Sequence, residues 1–261
     1  MTLDPFAPGT FPMTPSADAS PVGAPPSGGA DFSRTETTHD IAASARNLRG
    51  LLAPYDLVIV PGLHDSGPRH WQSHWHALLP SRRVRQADWD RPRWDMWVTG
   101  LERTLAHCHR PVVFVAHSLG AVLVARWGQQ QTRVRVAGAL LVAPADLRGP
   151  RARQVPALRD FAFPSSSPLP FPARIIASTN DEWLSPRRAG AFAAAWDAPL
   201  ITAGRLGHIG NTSPVGTWAQ GLDWFRDFLA TLPPPGDVPA GNAPAGDIAL
   251  NGIPARGRHH A

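Results

Sequence analysis

The sequence holds one cysteine, Cys108, and no lysine. A single thiol excludes an intramolecular disulfide framework and a zinc site built on cysteines. No apolar run approaches the roughly 20 residues a membrane-spanning helix needs, so a helical membrane protein is excluded. All the positive charge is arginine, 25 residues against 20 acidic ones, for a net charge of +5. The arginines are scattered (Arg82, Arg103, Arg126, Arg174, Arg205) and interleaved with Asp and Glu. A basic arm would show a block of like charge, so a nucleic-acid partner is not expected. Met1-Thr2-Leu3-Asp4-Pro5 has neither a positive n-region nor an apolar h-region. With no export signal read there and one cysteine, a cytoplasmic location is expected.

What the chain does have is 43% hydrophobic residues across 261 positions, enough for a sizeable core. Proline marks where that core lies. Residues 1–30 hold seven prolines and residues 233–261 hold six. Such Pro-, Gly- and Ala-rich stretches bury too little apolar surface to offset chain entropy. Disordered segments are therefore expected at 1–54 and 233–261, with a short helix at 40–50 between Asp40 as N-cap and Gly50 as stop. The folded domain is expected at 55–232.

Within it, short apolar runs alternate with helical periodicity. Leu57 to Val60, Val112 to Ala116, Val136 to Val142 and Arg174 to Ala177 read as strands buried on both faces. A more exposed strand is expected at 82–87 and a short one at 199–202. Helices are expected from Pro68, with Trp71, Trp75, Leu78 and Leu79 on one face, and at 94–107, 119–128, 186–196 and 217–232. The alternation predicts an α/β fold with a mostly parallel, doubly wound sheet flanked by helices. Ligands in such sheets bind outside the carboxyl ends of the strands, so residues there carry the most information.

Ala116-His117-Ser118-Leu119-Gly120 joins a buried strand directly to a helix. This is the setting of a nucleophile elbow, with Ala116 where the usual pattern has glycine. Ser118 would stand above the sheet edge with helix amides behind it, and the Leu119 amide is placed to serve an oxyanion. A serine nucleophile needs a base, and the base needs an orienting acid. Three histidines follow Ser118, and His259 and His260 lie in the tail, which leaves His208. Two acids end strands after Ser118. Asp181 is favoured over Asp146 because it lies two strands beyond the serine. The loop Gly62-Leu63-His64-Asp65-Ser66-Gly67 follows the first strand, and either Leu63 or His64 supplies the second oxyanion amide. Its glycine spacing imitates a phosphate loop, but Pro68-Arg69 stands where Lys and Ser/Thr are required.

His70 and His74 sit four apart with His76 near, a spacing that can bind zinc. The Glu of the metalloprotease motif is absent and no third ligand is evident, so a solvated histidine face is expected and no metal. Cys108 reads as a buried structural thiol. Trp183 and Trp89 are candidates to wall an apolar substrate pocket. The competing reading is packing, because ten tryptophans in one small domain must mostly serve its core.

Five motifs, in order, resemble one family: Pro61-Gly62 through Gly67-Pro68-Arg69-His70-Trp71-Gln72, Asp88 to Pro92, His117-Ser118-Leu119-Gly120, Ser178-Thr179-Asn180-Asp181, and Gly207 to Asn211. The chain resembles the small serine hydrolases related to retinoblastoma-binding protein 9, within the α/β-hydrolase superfamily. The resemblance covers 55–232 and implies the α/β-hydrolase fold with no large lid domain, a Ser118–His208–Asp181 triad and no cofactor. It names no natural substrate. The leading reading is a serine hydrolase acting on a small-molecule ester or activated amide. Acyl transfer on the same scaffold is the alternative chemistry. A binding module that keeps its triad, with protein partners on the Pro-rich tails, is the alternative from another class.

Overall fold

Strand residues of the domain alternate between two cores, and that alternation sets the architecture. The computed structural model describes residues 38–130, 134–161 and 166–241. Six strands form one all-parallel sheet: β1 (Asp56–Val60), β2 (Ser81–Arg83), β3 (Val112–His117), β4 (Val136–Val142), β5 (Ala173–Ala177) and β6 (Leu200–Thr202). Their spatial order is β2-β1-β3-β4-β5-β6. Val58, Val60, Phe114, Ala116 and Leu141 face one core; Leu57, Ile59, Val113, Val115 and Leu140 face the other. Period-two side-chain direction with both faces apolar gives the continuous hydrophobic runs of a sheet covered on both sides.

Three helices cover each face. On the first lie α3 (Trp94–Leu105), α4 (Leu119–Gln129) and α6 (Pro186–Trp196); on the second lie α1 (Thr38–Leu52), α2 (Trp71–Leu78) and α7 (Ala219–Leu229). A short helix, α5 (Pro150–Arg153), and a 3-10 turn (Pro156–Asp160) follow β4. They bring Phe161 edge-on to Trp94 and Trp97, a cover over the first core that strand and helix periodicity does not reveal. No helix among the described residues is long and apolar enough to cross a membrane.

Both domain boundaries differ from expectation. The first helix runs past 40–50 at each end, and Ala45, Leu48 and Leu52 are buried in the second core. At the other end, the Tyr55 hydroxyl donates to Pro233 O at 2.8 Å, Arg135 Nε donates to Val238 O at 3.2 Å, and Val238 is buried. The packed chain therefore includes α1 and extends beyond 232. Residues 1–37 and 242–261 lie outside the described residues, so the expected tails are described only in these inner parts.

Smaller differences have local causes. The second strand is Ser81–Arg83 rather than 82–87, because it is an edge strand of three residues pairing only with β1. The second helix starts at Trp71, not Pro68. His70 is its N-cap, with Nδ1 accepting from the Gln72 amide at 3.1 Å. The last helix is shorter than 217–232 at both ends.

Leu48 has no solvent exposure. Leu48→Ala is expected to lower unfolding free energy by about 2–5 kcal/mol, as for other buried leucines. Urea denaturation measures it, and a change within about 0.5 kcal/mol, typical of a surface site, would show that α1 is not part of the core.

Candidate active site

The carboxyl ends of β1, β3, β5 and β6 deliver four loops to one place. β3 ends at His117 and α4 begins at Leu119, so Ser118 alone makes the turn. Its backbone sits at φ 56°, ψ −122°, outside the regions that L-residues favour. The turn is tied from several sides. Ser118 N donates to Val142 O at 3.0 Å, and Ser118 O accepts from Ala121 N at 3.0 Å. A Cβ on Gly120 would lie 2.3 Å from Pro61 O, so only glycine lets the helix start this close to the end of β1. Ala116, at the position where glycine is usual, is fully buried.

His208 Nε2 lies 2.7 Å from Ser118 Oγ, and His208 Nδ1 lies 2.9 Å from both Asp181 carboxylate oxygens. A carboxylate only accepts, so Nδ1 carries the proton and Nε2 presents its lone pair to the serine hydroxyl. The Asp181 side chain is buried and also accepts from Trp183 N at 2.8 Å. Asp146, the other acid at a strand end, has different partners. It pairs with Arg188 Nε at 3.0 Å and accepts from Arg148 N at 3.1 Å.

The first loop passes directly under the serine. A Cβ on Gly62 would lie 2.8 Å from Ser118 Cβ and 3.3 Å from Leu119 N. His64 and Asp65 follow, both with positive φ. The His64 amide donates to Trp89 O at 3.1 Å, and its exposed ring pairs with Asp90 at 2.7 Å. Arg83 Nη2 donates to Asp65 Oδ1 at 2.5 Å and to Ser66 O at 2.6 Å, and Ser66 Oγ donates to Gln72 Oε1 at 2.7 Å. Gln72 in turn donates to Val60 O and Val115 O, at the ends of β1 and β3. The arrangement offers a serine oxygen, a base with a free lone pair, a buried carboxylate and backbone amides beside them. Those are the parts of acyl-group chemistry.

The model of the family described as "Serine hydrolase" matches residues 57–227. The chain belongs to the serine hydrolase family. This serine hydrolase is 34% identical to a putative YdeN-like hydrolase from Pectobacterium atrosepticum, with a TM-score of 0.65 over 73% of this chain and all of that one. It is 20% identical to the ydeN gene product of B. subtilis, with a TM-score of 0.55 over 67% of this chain and 99% of that one. The fold alone is shared with Est1E from Butyrivibrio proteoclasticus, at 11% identity, a TM-score of 0.51, and 68% and 88% coverage. No curated protein matches the sequence. The family and the α/β-hydrolase fold are those the five motifs indicated.

The tryptophans of the serine hydrolase divide as their surroundings dictate. Trp97 is buried and donates to Asp88 O, a core residue. Trp89 is half-buried, edge-on to Trp97, and its carbonyl holds the His64 amide. Trp183 lies against the site, its ring 5.7 Å from the His208 imidazole. Cys108 is half-buried, its Sγ 3.8 Å from Thr104 O, and burial pushes its thiol pKa up.

The histidine face is not solvated as expected. His70 is buried, its ring edge-on to His117 at 4.9 Å; His74 Nδ1 meets Thr217 Oγ1 at 3.2 Å, and only His76 is exposed. The chain segment before α7 and the end of β3 close over positions that helical spacing alone reads as surface. Burial first, and the nearby Arg83 charge second, push the His70 pKa down from 6.5 to about 3. Burial also holds His117 well below its usual value. Both stay neutral in the folded state and gain protons on unfolding. Stability is therefore expected to be greatest above about pH 6.5 and to fall as pH drops towards 3, by up to about 1.4 kcal/mol per pH unit from His70, with His117 acting in the same direction. Urea midpoints at about pH 7.5 and about pH 5 test this, and equal stability at both would contradict it.

Proposed function

We propose that this serine hydrolase cleaves small carboxylic esters through an acyl-enzyme on Ser118. The observation that carries the proposal is the unbroken series Ser118 Oγ, His208, Asp181, with spacings of 2.7 and 2.9 Å. Ser118 Oγ attacks the carbonyl carbon while His208 Nε2 takes its proton. Asp181 holds the imidazole in the Nδ1–H tautomer and stabilises the imidazolium that forms. The tetrahedral oxyanion sits between the amides of Leu119 and Leu63. Leu63 is chosen over His64 because the His64 amide is already committed to the Trp89 carbonyl. Collapse returns the His208 proton to the leaving alkoxide. Water, deprotonated by the same imidazole, then releases the acid.

Trp183 beside the imidazole supports an apolar wall for the acyl or leaving group; nothing comparable supports Trp89, which serves the first loop through its carbonyl. What favours chemistry over a binding module is that base tautomer, acid and serine are all aligned, an arrangement that binding alone does not require.

A fluorophosphonate probe, which reacts with activated serines, is expected to label Ser118 in the wild type and nothing in Ser118→Ala. Turnover of p-nitrophenyl acetate is expected to fall by about 10³-fold or more in Ser118→Ala and in Asp181→Asn, because such groups act as a unit. Full turnover by Ser118→Ala would overturn the proposal.

A further inference from the structure

Four consecutive residues of the loop that carries His208 each have one backbone group held by a side chain from elsewhere. Leu206 N donates to Ser178 Oγ at 2.9 Å and Gly207 N to Asn180 Oδ1 at 2.8 Å. His208 O lies 2.9 Å from His117 Nε2, and Ile209 O accepts from Trp71 Nε1 at 2.8 Å. The first two holders come from the loop of Asp181. The other two come from the last residue of β3 and the first residue of α2.

His117 does no chemistry in the mechanism above, yet it is buried beside the serine. A carbonyl oxygen only accepts, so Nε2 of His117 must carry the proton. Engaged in this way, Nε2 of His117 is not available as a second base for Ser118. Its ring is edge-on to His70 at 4.9 Å and to Trp71 at 6.1 Å, and lies 5.1 Å from the His208 ring. The loop it holds is not one that relaxes there unaided. Ile209, a β-branched residue, has φ +50°, a strained conformation that persists only when its surroundings over-determine it.

We propose that His117 is a positioning residue. Its Nε2–H on the His208 carbonyl, with the Trp71 indole N–H on the next carbonyl, sets the height of the His208 imidazole over Ser118 Oγ. Because His117 and Ser118 are adjacent, the serine and the loop of its base are referenced to each other directly rather than through the sheet. The inference rests on the reading of Ser118 and His208 as a catalytic pair.

The test measures kcat and KM for p-nitrophenyl acetate in wild type, His117→Leu, His117→Gln and Trp71→Phe, with kcat divided by the endpoint stoichiometry of fluorophosphonate labelling. A displacement of about 1 Å in a reacting group can cost 10²-fold in rate, so His117→Leu is expected to lose about 10- to 100-fold in kcat per labelled site with KM nearly unchanged. His117→Gln keeps an N–H donor and is expected to recover most of that loss. Trp71→Phe is expected to lose less, and the double variant less than the product of the two, because both act on one loop. A side chain that only fills space predicts the reverse order: leucine at full kcat per site, with the buried amide the worse replacement. Full per-site kcat in His117→Leu therefore overturns the inference while leaving the function standing. If His117→Leu does not fold, Trp71→Phe decides, and an unchanged per-site kcat there overturns it. A folded wild type that takes no label would instead fail the underlying reading of Ser118.

Discussion

The backbone of Ser118 is held at φ 56°, ψ −122°, and the surrounding structure is arranged around keeping it there. Such a conformation costs of order 1–3 kcal/mol and must be over-determined by its neighbours. The neighbours are three fully buried strand ends. β3 passes between β1 and β4 with every one of its residues buried, and the Ser118 amide is bound by the last residue of β4. The turn leaves no loop between strand and helix, so α4 starts directly at the serine. Two neighbours must then be glycine. Gly120 lets the helix meet the end of β1, and Gly62 lets the first loop pass beneath Ser118.

The partners of Ser118 arrive on loops, which a rigid sheet edge does not position by itself. Hydrogen bonds to side chains from other elements do that here. Arg83 and Gln72 fix the first loop; Ser178, Asn180, His117 and Trp71 fix the loop of His208. The ties from Arg83, Ser178, His117 and Trp71 satisfy part-buried or buried backbone groups, so the same bonds serve stability and placement. His70 and His117 stay neutral close to the imidazole. In the proposed mechanism the buried Asp181 carboxylate then faces the imidazolium formed on His208.

How much of this the sequence makes legible follows from which effects are local. β1, β3 and β4 are visible because strands covered on both faces carry continuous apolar runs, β5 because Ile175 to Ala177 does so after Arg174, and Ser118 is visible because such a run meets a helix with no loop between them. His208 and Asp181 follow from chain order. The helix α1 is understated because it follows a Pro- and Ser-rich stretch and exposes Arg46 and Arg49; its burial comes from α7, nearly two hundred residues later. The edge strand β2 is three polar residues, with no periodicity to read. The choice between Leu63 and His64 turns on a carbonyl at Trp89, which no spacing encodes. His70, Trp71 and Gln72 stand out as a motif, but their tasks depend on loops brought to them by the fold. The signal for His117 was its place beside Ser118, and its partner, the carbonyl of His208, becomes visible only in three dimensions.

The central claim is that these loops are already set for an oxyanion on the Ser118 side chain. A crystal structure of the protein phosphonylated by a fluorophosphonate tests it most directly. The account expects phosphorus on Ser118 Oγ, the phosphonyl oxygen within hydrogen-bond reach of the Leu63 and Leu119 amides, and residues 206–209 unmoved with their four external ties intact. Phosphorus on another residue, or a phosphonyl oxygen that finds neither amide, would contradict it.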